Sequence, residues 1–118
     1  MDASAKIATV EKYVEAFDKQ SMDLIREIYA DDAVVEDPVG TDPYNGIEAI
    51  CGFYEAGLSG GAKLVLTGPV RCAGNAAAFP FQVVVGDMVI NIIDVFEFND
   101  AGKVTSMKAY WGPESMES

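Results

Sequence analysis

The sequence contains no histidine. That absence removes nucleophile schemes built on an imidazole base and metal centres built on imidazole ligands. Any proton transfer must fall to Asp, Glu, Tyr, Lys or Cys. Cysteine is scarce as well: Cys51 and Cys72 fall in a predicted helix and a predicted strand and form no C-x-x-C pair. Small buried thiols are the expectation, with a bridge between the two as the alternative. Positive charge is short, with 8 Lys and Arg against 19 Asp and Glu and a net charge of -11 at pH 7. Such a balance repels nucleic acid and anionic membrane surfaces. No apolar run reaches the ~18 residues of a membrane span, and the start MDASAKIATVEKY has neither the basic nor the apolar part of a secretion signal. These features predict a soluble cytoplasmic protein with no nucleic-acid or membrane partner.

What is present suits a single domain over residues 1–118, with one core and one pocket. Ile7, Val10, Val14 and Phe17 recur at helical spacing, with Tyr13 on the same stripe. A second short helix is predicted from Ser21, a suitable N-cap, through Leu24, Ile25 and Ile28. After the strand AVVED and the turn-rich DPVGTDPYNG, a third helix carries Ile47, Ile50, Phe53, Tyr54 and Leu58 and stops in the glycines from Gly57 to Gly61. The second half is strand-like: KLVLTGPVRC, AAAFPFQVVV, MVINIIDVFEF and KVTSMKAYW are separated by hairpin signals at Gly74-Asn75, Gly86-Asp87 and NDAG. Pro69 and Pro80 mark edges or bulges. The expected class is α+β, three N-terminal helices packed on one face of a curved, mostly antiparallel sheet, followed by a loose tail GPESMES.

Three residues could carry chemistry. In MVINIIDVFEF, counting by twos puts Met88, Ile90, Ile92, Asp94, Phe96 and Phe98 on one face, so the acid lies among large hydrophobes. Either Asp94 pairs with a cation such as Lys103 or Lys108 or meets solvent at a bulge, or it is buried and neutral. A neutral buried acid is a hydrogen-bond donor of the kind a developing oxyanion needs. Tyr13 is a second candidate donor, or a core tyrosine whose hydroxyl is satisfied elsewhere. Asp37, directly before a proline, either initiates a turn or stands as a base at a loop mouth. Asp31, Asp32, Glu36 and Asp42 around it read as a solvated rim, and their spacing does not fit a calcium loop. A base, two neutral donors and an apolar pocket together suit proton abstraction beside a carbonyl.

The segments YADDAVVEDPVG, FYEAGLSGG, LTGPVR, IIDVFEFNDAGKV and MKAYWG closely resemble the bacterial Δ5-3-ketosteroid isomerases of the NTF2-like, SnoaL-like superfamily, in order and spacing from Tyr13 to Gly112. The resemblance implies a conical fold and a homodimer that works on a steroid without cofactor or metal. It implies Asp37 as the base that moves a proton from C4 to C6, with Tyr13 and Asp94 as the oxyanion donors. A carboxylic acid kept neutral by its apolar site is a known property of that family. Tyr29 and Tyr54 match a supporting hydrogen-bond network, and Phe53, Phe81, Val83, Phe96, Met107 and Trp111 are expected to line the cavity. Other enzymes of the fold, such as polyketide cyclases and epoxide hydrolases, and a non-catalytic dimer that binds hydrophobic ligands, are the alternatives.

Overall fold

The helices begin where the sequence supplies a cap. In the computed structural model, which describes residues 1–117, α1 spans Ala3–Asp18 and α2 spans Met22–Ile28. The Asp2 side chain accepts the Ala5 amide at 2.9 Å, and the Ser21 hydroxyl accepts the Leu24 amide at 3.2 Å. The third helix, α3 (Ile47–Ser59), follows Gly46, whose φ of 88° favours glycine. It runs through Gly57 and ends within the expected glycine run, at Gly60. The buried stripe of α1 is Lys6, Val10, Tyr13, Ala16 and Phe17, while Ile7 and Val14 are half-buried beside it. Lys6 can take a core-facing place because its Nζ donates to the Gly74 carbonyl at 2.6 Å while its stem covers apolar surface.

The strands are β1 (Tyr29–Glu36), β2 (Tyr44–Asn45), β3 (Lys63–Leu66), β4 (Arg71–Ala73), β5 (Ala76–Val85), β6 (Met88–Phe98), β7 (Val104–Tyr110) and β8 (Met116–Glu117). They form one sheet in the order β2-β1-β7-β6-β5-β3, with β4 on β5 and β8 on β6. Among the described residues every pairing is antiparallel except β1 with β7, so the strand after α2 returns to the far side of the meander. The architecture is therefore the expected α+β one, with helices against the inward face of a mixed, mostly antiparallel curved sheet. The core lies between them, centred on Val10, Tyr29, Phe79, Phe96 and Met107.

Two strand expectations need correction. KLVLTGPVRC is not one strand: it breaks at Gly68-Pro69 into β3 and β4, which pair with different halves of β5. Pro80 sits inside β5 opposite that break. Its carbonyl accepts the Thr67 amide at 3.0 Å, so its nitrogen, which lacks a hydrogen, faces the same interrupted side. The tail is not loose over Pro113–Glu117, because a 3₁₀ turn (Pro113–Ser115) leads into β8, which adds to β6 at Val89 and Ile90. On β6 the alternation holds from Ile92 onward, with Ile92, Asp94, Phe96 and Phe98 buried, whereas Met88 at the hairpin tip is exposed.

Candidate active site

Helices and sheet part at one end to leave a cavity of about 320 Å³. Tyr13 and Phe17 of α1, Phe53, Tyr54 and Gly57 of α3, and Phe81, Val83 and Ile92 of β5 and β6 line it, with Asp37 as its one carboxylate. Its size is at the lower end of the range for small-molecule sites, about 300 Å³ upward, and its walls are almost wholly apolar. A larger groove of about 630 Å³ runs outside α2 and α3, past Arg26, Glu48 and Cys51. That groove contains neither Asp37 nor Tyr13, so the smaller cavity is the candidate site.

Asp37 follows the last residue of β1, and the Asp37-Pro38 bond is cis. The loop beyond it is tied back to the sheet, because the Val39 amide donates to the Ala109 carbonyl at 2.8 Å. The Trp111 indole Nε1 donates to Asp37 Oδ1 at 2.7 Å. Burial raises the Asp37 carboxyl above the ordinary carboxylate range, and the indole hydrogen bond pulls partly in the other direction. The arrangement describes a half-buried acid made more basic than an exposed one, yet still held by a single neutral donor.

Three phenols lie deeper. The Tyr29 and Tyr54 hydroxyls are 2.6 Å apart, and the Tyr54 and Tyr13 hydroxyls are 3.0 Å apart. If Tyr29 donates to Tyr54 and Tyr54 donates to Tyr13, the Tyr13 proton is left free for a cavity ligand. Burial raises all three phenols well above their ordinary range, so each is a neutral donor near neutral pH. The Tyr13 ring is clamped edge-on by Phe17, Phe79 and Phe96, with centroids 5.4, 6.1 and 5.2 Å away.

Asp94 is 1% exposed, and neither carboxyl oxygen has a hydrogen-bond partner among the described residues. Its inward neighbours on β6 are Ile92 and Phe96, and across the strands it faces Phe79 and Ala109. Burial above all, and then the negative charge of Asp37, raise its pKa well above the carboxylate range. The Tyr13 hydroxyl weakly favours the charged form, but its bond is to Tyr54. Neither lysine reaches Asp94: Lys103 Nζ donates to the Glu27 carbonyl at 2.6 Å, and Lys108 points outward and is exposed. With no cation beside it among the described residues, burial favours the protonated form of this acid.

The SnoaL-like domain family matches residues 10–107. A protein from Nocardioides simplex named steroid Delta-isomerase is 41% identical over 98% of this chain and 96% of its own. The chain belongs to the SnoaL-like family. Its likeness to that isomerase over nearly the full length makes it an isomerase. Among solved structures, the epoxide hydrolase/cyclase-like enzyme SalBIII, described for pyran ring formation in polyether salinomycin, shares the fold with a TM-score of 0.91. At 23% identity over 98% of this chain and 96% of that one, this second likeness concerns the fold alone.

Within this SnoaL-like scaffold, Asp37, Tyr13, Phe53, Tyr54, Phe81 and Val83 meet at the cavity, and Tyr29 and Asp94 lie behind Tyr13. Phe96 and Met107 are not among its lining: both are fully buried in the core. Trp111 is half-buried and holds Asp37 instead of serving as wall. Sequence reasoning missed that bond, and it missed Phe17, Gly57, Leu64 and Ile92 as lining. Gly57 lies four residues after Phe53 and Ile92 two before Asp94, so helical and strand spacing carried a signal for both.

Proposed function

We propose that this protein is a steroid Δ-isomerase that converts a 3-oxo-Δ5-steroid to the conjugated 3-oxo-Δ4-steroid. The observation that carries the reading is an apolar cavity lined by one base-like acid, Asp37, and one neutral donor, Tyr13, with the buried acid Asp94 behind Tyr13. In this reading the steroid ketone points inward toward Tyr13 and Asp94. Asp37 takes the proton from C4, the C4–H electron pair moves into the ring, and the C3 oxygen takes up the negative charge of a dienolate. Asp37 then returns the same proton to C6 and the double bond comes into conjugation, with no net gain or loss of atoms. Donors that stay fixed as charge develops can each contribute about 2.7 to 4 kcal/mol when water is excluded. The chain of Tyr29 and Tyr54 supports Tyr13 in that role.

A hydrolase of the same fold would need an arginine among its acids. Arg26 is instead engaged by Glu48 at 3.0 and 3.1 Å on the outer groove, and Arg71 is exposed on β4. The enzyme is also proposed to act as a cytoplasmic homodimer through the outer sheet face. There Ile93, Tyr110 and Met116 are exposed, which favours covering that face with a second copy. The deciding experiment follows the ultraviolet absorbance of the conjugated enone as purified protein is added to a 3-oxo-Δ5-steroid. Rapid enone formation supports the proposal; none above the buffer rate would leave a binding protein or another chemistry.

A further inference from the structure

The indole that holds Asp37 does not sit in a regular strand. β7 leaves β6 at the pair Tyr110–Ile93, and the chain rejoins β6 at Met116–Ile90. Residues 111–115 therefore span a stretch of β6 that offers only Asn91 and Ile92 opposite them. The excess chain must leave the ladder, and Trp111, whose parity follows inward-facing Met107 and Ala109, is carried toward Asp37. The excursion is closed locally by the Ser115 amide on the Gly112 carbonyl (2.9 Å) and the Gly112 amide on the Ser115 hydroxyl (3.1 Å).

Asn91 closes it from outside. Its Nδ2 donates to the Ser115 carbonyl at 3.2 Å and to Glu117 Oε2 at 2.6 Å, while its Oδ1 accepts from Gln82 Nε2 at 3.1 Å. One side chain thus joins β5, β6 and the end of the tail at the point where the chain returns from Trp111. It touches neither the cavity nor Asp37.

We propose that Asn91 is a positioning residue: by clamping the tail to β6 it fixes the excursion that holds the Trp111 indole on the base. The inference rests on Asp37 acting as that base, but the clamp has a readout that does not require turnover. Trp111 is the chain's only tryptophan, so a nitrogen-15 spectrum contains a single indole N–H signal, set apart from the backbone amides. In the native protein that signal should titrate with the Asp37 carboxyl. In Asn91→Ala and in Asn91→Asp, which keeps the acceptor for Gln82 but loses both donors, it should move upfield and lose its titration. Gln82→Ala, which leaves the tail contacts intact, should not change it.

Turnover supplies the second arm. Removing the indole bond raises the Asp37 pKa further, so the acid limb of kcat/KM moves to higher pH in Trp111→Phe and in the Asn91 variants alike. A lost hydrogen bond corresponds to a fall of about two- to tenfold in kcat, and the change should be absent when Asn91→Ala is made in a Trp111→Phe background. Should Asn91→Ala aggregate or change its oligomeric state, Glu117→Ala carries the same expectation from the exposed end of the clamp. An unchanged indole signal in the folded variants, or effects that add to Trp111→Phe, would overturn the proposal. A native protein without isomerase activity but with the expected spectral changes would overturn only the functional reading.

Discussion

Replacing Asp94 by asparagine tests whether this acid keeps its proton in the folded protein. The side chain is 1% exposed and, among the described residues, has no hydrogen-bond partner on either oxygen and no cation beside it. Its pKa is raised on folding, so the folded state holds the proton at pH values where the unfolded chain has released it. Stability contributed by such a group is fully present below the unfolded value of about 3.9, and falls as pH rises toward the folded value. The slope is about 1.4 kcal/mol per pH unit over that window. Asparagine has nearly the same shape and no such slope, so the stability of Asp94→Asn relative to the native protein should climb with pH by that amount. With an unfolding entropy of about 2.1 cal/mol/K per residue over 118 residues, each pH unit widens the gap in Tm by about 6 °C. The raised pKa of Asp37 is common to both proteins and largely cancels. An amide left without partners adds an offset of about 1 to 3 kcal/mol, but the offset does not vary with pH. Circular-dichroism melts of both proteins from about pH 4.5 to about pH 8 measure the slope directly. A Tm difference that stays flat or shrinks with pH would show that Asp94 ionises normally, and the donor role would fall with it.

Other consequences are simpler to read. Asp37→Asn should lower kcat by about 10²- to 10⁴-fold while steroid binding, followed by quenching of Trp111, persists; near-native turnover would remove Asp37 from the role of base. Tyr54→Phe deletes the hydroxyl that joins Tyr13 to Tyr29 and leaves the Tyr29 hydroxyl buried without a partner, so urea titration should show a loss of about 1 to 3 kcal/mol. Met107→Ala should cost about 2 to 5 kcal/mol of stability with little change in KM, because the side chain is core and not cavity wall. Ile93→Glu, on the exposed outer face, should convert a dimer to monomers in sedimentation velocity, and an unaltered sedimentation coefficient would place the interface elsewhere.

Much of this protein was legible in the order of its residues because the relevant physics is local. Asp2 and Ser21 cap the amides of the turns that follow them whatever the rest of the chain does. A strand with period two fixes which side chains share a face, so VINIIDVFEF places Asp94 with Ile92 and Phe96 before any tertiary structure is known. The missing histidines likewise restrict acid and base chemistry to other groups by composition alone. What periodicity leaves open is the partner. Whether Asp94 meets a lysine or nothing depended on where Lys103 and Lys108 go, and the sheet order sends one to α2 and the other to the outer face. Depth is also a tertiary property: Phe96 and Met107 share the parity of wall residues, yet the packing of α1 and α3 on the sheet covers them completely. The break of KLVLTGPVRC and the anchoring of the tail follow from which strand lies alongside, which no local window contains. The bond from Trp111 to Asp37 is the clearest case. It joins residues 74 positions apart, and it exists because β1 runs parallel to β7 and brings the C-terminal ends of the two strands to one rim.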